Sequence, residues 1–213
     1  MLARLLWGLA YQRRPGTLVV IDPEHLDPNP FDAAPADPIV VVPVERTVLT
    51  RAAAADLRRR MPFRERSEGT VRWQTFGLPQ AVAELREWRS RAPGERIWRF
   101  DELPVGTPRV DRIGGLITIF GGHHQLRSWA TDLATLGDYA YHGMDYTYLD
   151  EADRNGEVQI FRQYRREVNI ARRARAEVLA SGVAGDLDRA VWSHAATVRR
   201  RRFPAVGPPT AAD

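Results

Sequence analysis

Two glycines, Gly114 and Gly115, sit between the strand candidates 110–113 and 116–120, and they constrain the fold more than any other feature of the chain. A two-residue reversal of a β-strand needs positive φ angles, which glycine adopts without steric cost. The segment therefore reads as a tight β-hairpin. Directly after it, Leu126, Trp129, Ala130, Leu133 and Leu136 recur at steps of three and four, the spacing of an amphipathic helix that begins near His123 and ends by Gly137.

Strand and helix signals continue on both sides. Residues 17–21 and 39–44 are β-branched runs that read as strands. Between them, 22–38 carries five prolines and five acidic residues and reads as an extended surface loop, because proline removes donors and fixes φ. Thr50 is placed to cap a helix that stops at Pro62, with Ala54, Leu57 and Met61 inward. Residues 71–76 and 96–100 read as further strands. Pro79 suits the first turn of a helix with Val82, Leu85 and Trp88 on one face. Asn155-Gly156 marks a second hairpin between 146–149 and 158–161. Phe161, Tyr164, Val168, Ala171 and Val178 then follow helical spacing up to Gly182, and a last helix from about Asp186 to Arg202 turns Leu187, Val191, Ala195 and Val198 inward.

These elements predict an α+β fold. It has an antiparallel sheet with hairpins in the middle of the chain, helices packed on one face, and a C-terminal helical hairpin. Residues 1–202 are expected to form a single globular domain with a C-terminal helical region at 158–202. The proline- and alanine-rich stretch 203–213 is expected to be a disordered tail. Leu2, Leu5, Leu6 and Leu9 have helical spacing at the N-terminus, which reads as a core or docking helix. Arg13 and Arg14 follow the apolar part, whereas a secretory signal places its charge first. No run approaches the roughly 20 apolar residues of a transmembrane segment. The chain has no cysteine, which removes disulfides, thiolate metal sites and cysteine nucleophiles and fits a cytoplasmic protein.

All 31 basic residues are arginine, so lysine-dependent chemistry is excluded. A GC-rich genome would favour arginine codons, but the distribution along the chain is uneven. From Glu157 to Arg202 there are eleven arginines and five acidic residues, while the whole chain carries only +4. Arg162, Arg165, Arg166, Arg172, Arg173 and Arg175 avoid the apolar stripe of their helix, and Arg199 and Arg200 open a run of four at the end of the next. Together they are candidates for neutralising phosphates, with Tyr164, Trp192 and Phe203 nearby to stack on bases. The same side chains could equally form a solvated face or dock an acidic protein partner.

A second candidate is the histidine cluster. His123 and His124 follow Gly121-Gly122 at a strand-to-helix junction, with His142 and Asp145 further along. Imidazoles with a carboxylate can hold a divalent metal ion, here through His123, His142 and Asp145, with Asp22 and His25 as further ligands if the fold brings them close. Asp145 or Asp150 with Glu157 flanking the second hairpin also suggests a Mg²⁺-dependent nuclease, although Gln159 stands where such sites carry lysine. The catalytic candidates are accordingly His123, His124, Asp145 and Glu157. The run GGHHQLRSW bears a slight likeness to the D-G-H-H-R-L run of the partition-protein nuclease-like families. Gly121 stands in place of the acid and Gln125 in place of the arginine, and the likeness covers under ten residues. No G-x-S-x-G, G-x-G-x-x-G or Walker loop is present.

Three classes of function follow. The first is a non-enzymatic binding or assembly protein that contacts nucleic acid or another polyanion through its arginine-rich helices. The second is a metal-dependent hydrolase at 121–157. The third is a protein–protein adaptor or structural subunit, with a homo-oligomer as one form of it.

Overall fold

A computed structural model describes residues 1–23, 37–61, 69, 73–96, 108–138, 146–149, 158–182 and 185–203. The chain is α+β, and its described residues fall into two compact units. The first contains α1 (Leu2–Ala10), β1 (Val19–Ile21), β2 (Ile39–Pro43), α2 (Arg51–Arg60), α3 (Leu78–Ser90), β3 (Arg109–Ile113), β4 (Leu116–Gly121) and α4 (His123–Ala134). The second contains α5 (Tyr164–Ala180) and α6 (Leu187–Arg202). Two short strands, β5 (Tyr146–Tyr148) and β6 (Gln159–Phe161), pair with each other as the Asn-Gly signal suggested. Leu149 and Val158 belong to the core of the first unit.

The sheet of the first unit runs β1-β2-β4-β3. Its two outer pairings are antiparallel, as expected, but the central one is not. β2 lies parallel to β4, with Ile39 opposite Ile117 and Pro43 opposite Gly121. The sheet is therefore mixed. Its helices also cover both faces rather than one. Val41, Ile117 and Ile119 point into a core with α1, α3 and α4, through Leu6, Leu9, Val82, Leu126 and Trp129. Val40, Val42, Leu116 and Phe120 point the other way, onto Ala54 of α2. The cause is visible in the strands themselves. IVVVP and LITIFG are unbroken apolar runs, the pattern of strands buried on both faces, and such strands pair in parallel where helices cross over between them. The edge strands are less buried: β1 is half-buried throughout, and β3 alternates with exposed residues.

Local chemistry sets several boundaries. Thr50 caps α2, its hydroxyl accepting from the Ala53 N–H at 3.1 Å. Proline occupies the first turn of α3. Residues 73–76, read above as the end of a strand, lie in no strand, and Arg96 likewise lies outside any strand. The rest of those two expected strands lies outside the described residues.

At the β3–β4 turn, Gly114 and Gly115 have φ of +59° and +77°. They differ in surroundings. A Cβ on Gly114 would stand 2.6 Å from the Ala55 nitrogen of α2, whereas at Gly115 the nearest atom is Arg58 Cγ at 3.8 Å. Gly115→Ala is expected to lower stability by about 1 kcal/mol, the left-handed cost alone. Gly114→Ala should lose roughly a further 1–3 kcal/mol from the clash. Urea denaturation of the two variants measures the difference. Equal losses would contradict the close approach of α2 to the turn.

Candidate functional site

The histidine cluster is built by the parallel pairing. β2 and β4 end side by side, at Pro43 and Gly121, so the residues two positions beyond each strand meet. These are Glu45 and His123. Gly121 allows the chain to close here, since a Cβ on it would lie 2.7 Å from the Trp129 ring of α4. Gly122 is the N-cap of α4 and has no side chain to cap it. Glu45 does so instead. Its two carboxylate oxygens accept from the His123 backbone N–H at 2.9 and 3.0 Å, and Oε1 lies 2.8 Å from His123 Nδ1. Burial pushes the Glu45 carboxyl upward, but the backbone and side-chain hydrogen bonds from His123 outweigh it and hold its pKa below the ordinary 4.5. The His124 ring lies 4.0 Å from that of His123, centroid to centroid.

The helix terminus that could have received an external anion is thus occupied by the protein's own carboxylate. Glu45 was not singled out in the sequence; only the parallel register brings it to His123. Among the described residues no three histidines, cysteines, aspartates or glutamates come together as a metal site. His25, His142, Asp145, Asp150 and Glu157 lie outside the described residues.

The second candidate is the hairpin of α5 and α6. Ile170, Ala174, Val178, Val191, Ala195 and Val198 form its apolar seam. Asp186 caps α6 by accepting from the Arg189 N–H at 3.1 Å. Two carboxylates on α5 each gather several cations. Glu167 is nearly buried, and its Oε2 accepts from Arg199 Nη2 at 2.7 Å and Nε at 3.1 Å, while Oε1 meets Arg166 Nε at 3.2 Å. Glu177 meets His194 Nε2 at 2.6 Å, Arg173 Nε at 3.0 Å and Arg201 at 3.5 Å. The His194 hydrogen bond first, and that of Arg173 second, lower the Glu177 pKa. A cleft of 440 Å³ opens beside this pair, lined also by Ser181, Ser193 and Thr197.

At 100° per residue, Arg166, Arg173 and Glu177 share one flank of α5, and Arg165, Arg172 and Leu179 lie on its outward side. Because Glu177 reaches His194 and Arg201, the acidic flank of α5 lies on the same side as those two residues of α6. Trp192 lies on the opposite flank of α6, seven residues before Arg199, while Arg189 and Arg200 point outward from its back. Arg165, Arg172, Leu179, Arg189, Trp192 and Arg200 are all exposed. Arg172, Arg189 and Arg200 meet no carboxylate among the described residues.

The predicted arginines therefore separate by environment. Arg162, Arg165, Arg172, Arg173 and Arg200 face solvent; Arg166 and Arg175 are half-buried; Arg199 turns inward to Glu167. Arg166 also lies 4.9 Å from the Phe203 ring, so Phe203 covers a guanidinium.

Among the described residues no helix is long and apolar enough to cross a membrane. No family model, no curated protein and no solved structure matches this chain.

The Glu45–His123 contact has a pH signature. A carboxyl whose folded pKa is depressed adds stability above its unfolded pKa and loses it as pH falls through the folded value. Glu45→Gln should cost about 1–2 kcal/mol at neutral pH, and the gap from the parent should close below 4.5. Urea midpoints measured across that range check it. A gap independent of pH would remove the charged contact from the account.

Proposed function

We propose that this protein is a non-enzymatic binding or assembly protein that contacts nucleic acid through the arginine-rich surface of its C-terminal helical hairpin. One observation carries the reading. The hairpin's two α5 carboxylates are already engaged by Arg166, Arg173, Arg199, Arg201 and His194, yet Arg172, Arg189 and Arg200 are exposed on the outward sides of the two helices. From Phe161 to Phe203 eleven arginines face four acidic residues, and two of those four, Asp186 and Asp188, sit at the start of α6. Guanidinium groups are permanently charged and bind phosphate oxygens in a fork. A surface of this kind contacts the backbone and carries little base preference of its own. The reading places no catalytic duty on Glu45 and His123, whose hydrogen bonds satisfy each other at the start of α4.

The test is fluorescence anisotropy of the full chain with a labelled DNA duplex over a series of salt concentrations. Binding should weaken linearly in log Kd against log salt. Arg172→Gln with Arg200→Gln should lower that slope by about two, each neutralised phosphate contributing about 0.9. Arg199 is unsuitable for this purpose, because removing it strands Glu167 as a buried charge. No binding at low salt, or an unchanged slope in the double variant, would overturn the proposal.

A further inference from the structure

We infer that the first unit carries a second contact for a nucleic-acid phosphate backbone, formed by Arg13, Arg14 and Arg46; this inference rests on the function proposed above. The sheet brings the three together. β1 runs antiparallel to β2, with Val19 opposite Val41, so the segment before β1 lies beside the turn after β2. Hydrogen bonds fix that meeting. The Gly16 N–H donates to the Arg46 carbonyl at 3.1 Å, and the Thr47 hydroxyl donates to the Thr17 carbonyl. Within the first segment, the Thr17 hydroxyl donates to the Arg14 carbonyl at 2.8 Å. Arg13, Arg14 and Arg46 are exposed, and none meets a carboxylate among the described residues. Glu45 adjoins Arg46 in sequence, but its carboxylate is held by His123. The end of the sheet therefore gathers three guanidinium groups while its nearest acid is engaged elsewhere.

The chemistry of this patch selects its occupant. Guanidinium groups bind phosphate oxygens in a fork and keep their charge at every physiological pH. The apolar surface beside them is small: Val48 is exposed, and the Tyr11 ring is already engaged by Trp7 and Arg127. Attachment to a membrane surface grows with buried apolar area as well as with charge, and a protein interface needs about 800 Å² from each partner. A phosphate backbone needs neither, because released counterions drive its binding. The patch is thus matched to the same kind of ligand as the hairpin, through different residues.

The experiment measures duplex binding by the full chain against salt in three variants. The first is Arg13→Gln/Arg14→Gln/Arg46→Gln. The hydrogen bonds that join the two segments use backbone atoms of Arg14 and Arg46, so these substitutions remove charge and leave those bonds in place. The second is the hairpin pair Arg172→Gln/Arg200→Gln. The third is Arg59→Gln/Arg60→Gln, two exposed arginines of α2 that pair with Asp56. The triple variant should lower the slope of log Kd against log salt by roughly 2–3, in addition to the loss from the hairpin pair, and the α2 pair should leave it nearly unchanged. If the hairpin pair lowers the slope and the triple variant does not, this inference fails and the proposed function stands. An equal loss per arginine in the α2 pair would show a response to net charge alone and overturn the patch. Loss of binding to vesicles of anionic phospholipid, with duplex binding intact, would assign the patch to a membrane surface and overturn it as well. If the unsubstituted protein binds no duplex at low salt, the proposed function fails and this inference with it.

Discussion

Parallel pairing of β2 with β4 organises the first unit. A parallel pair cannot be joined by a tight turn, so the chain between the two strands must cross over, and it does so through α2, α3 and β3. Both strands are then central, with β1 and β3 at the edges. Central strands of this kind require apolar side chains on both faces, and Val40 and Val42 against Val41 supply them. The same register carries the ends of β2 and β4 to one place, where Glu45 takes up the start of α4. One pairing thus accounts for the two-sided helix packing and for the contact between residues 78 positions apart.

In the second unit, the arrangement of acids and bases matters more than their number. Glu167 and Glu177 are engaged by cations of both helices, and the contacts across the hairpin join α5 to α6. Such contacts tie the helices together alongside a seam of small residues, in which Ala174 and Ala195 are buried. They also concentrate the negative charge of α5 near the seam and its Glu177 flank. The consequence is an outward side on which Arg172 has no acidic neighbour at the adjacent helical turns, residues 168, 169, 175 and 176 being uncharged or arginine. Fold stability and an outward cationic surface come from the same placement of two carboxylates.

Much of the fold was legible from local pattern. The Gly-Gly turn, the Thr50 cap, the helix opening at His123 and the inward residues of α6 depend on neighbours in sequence, and each occurs where periodicity and turn chemistry put it. What was not legible depends on partners far along the chain. The unbroken runs IVVVP and LITIFG carried a signal of two-sided burial, and an antiparallel expectation overlooked it. Without the parallel pairing of β2 and β4, Glu45 could not be seen as the partner of His123. On the hairpin, helical spacing placed most arginines outward correctly. It did not distinguish Arg199 from Arg200, because only the crossing of the helices brings Glu167 within 2.7 Å of Arg199.

The central claim of the proposed function is that the exposed Arg172, Arg189 and Arg200 take up a polyanion while the arginines bound to Glu167 and Glu177 do not. NMR of the arginine Nε–Hε groups during titration with an oligonucleotide tests it residue by residue. The account predicts that the Arg172, Arg189 and Arg200 resonances move, while those of Arg173 and Arg199 stay near their positions. Movement confined to Arg173 and Arg199, or no movement at any arginine of the hairpin, would contradict it.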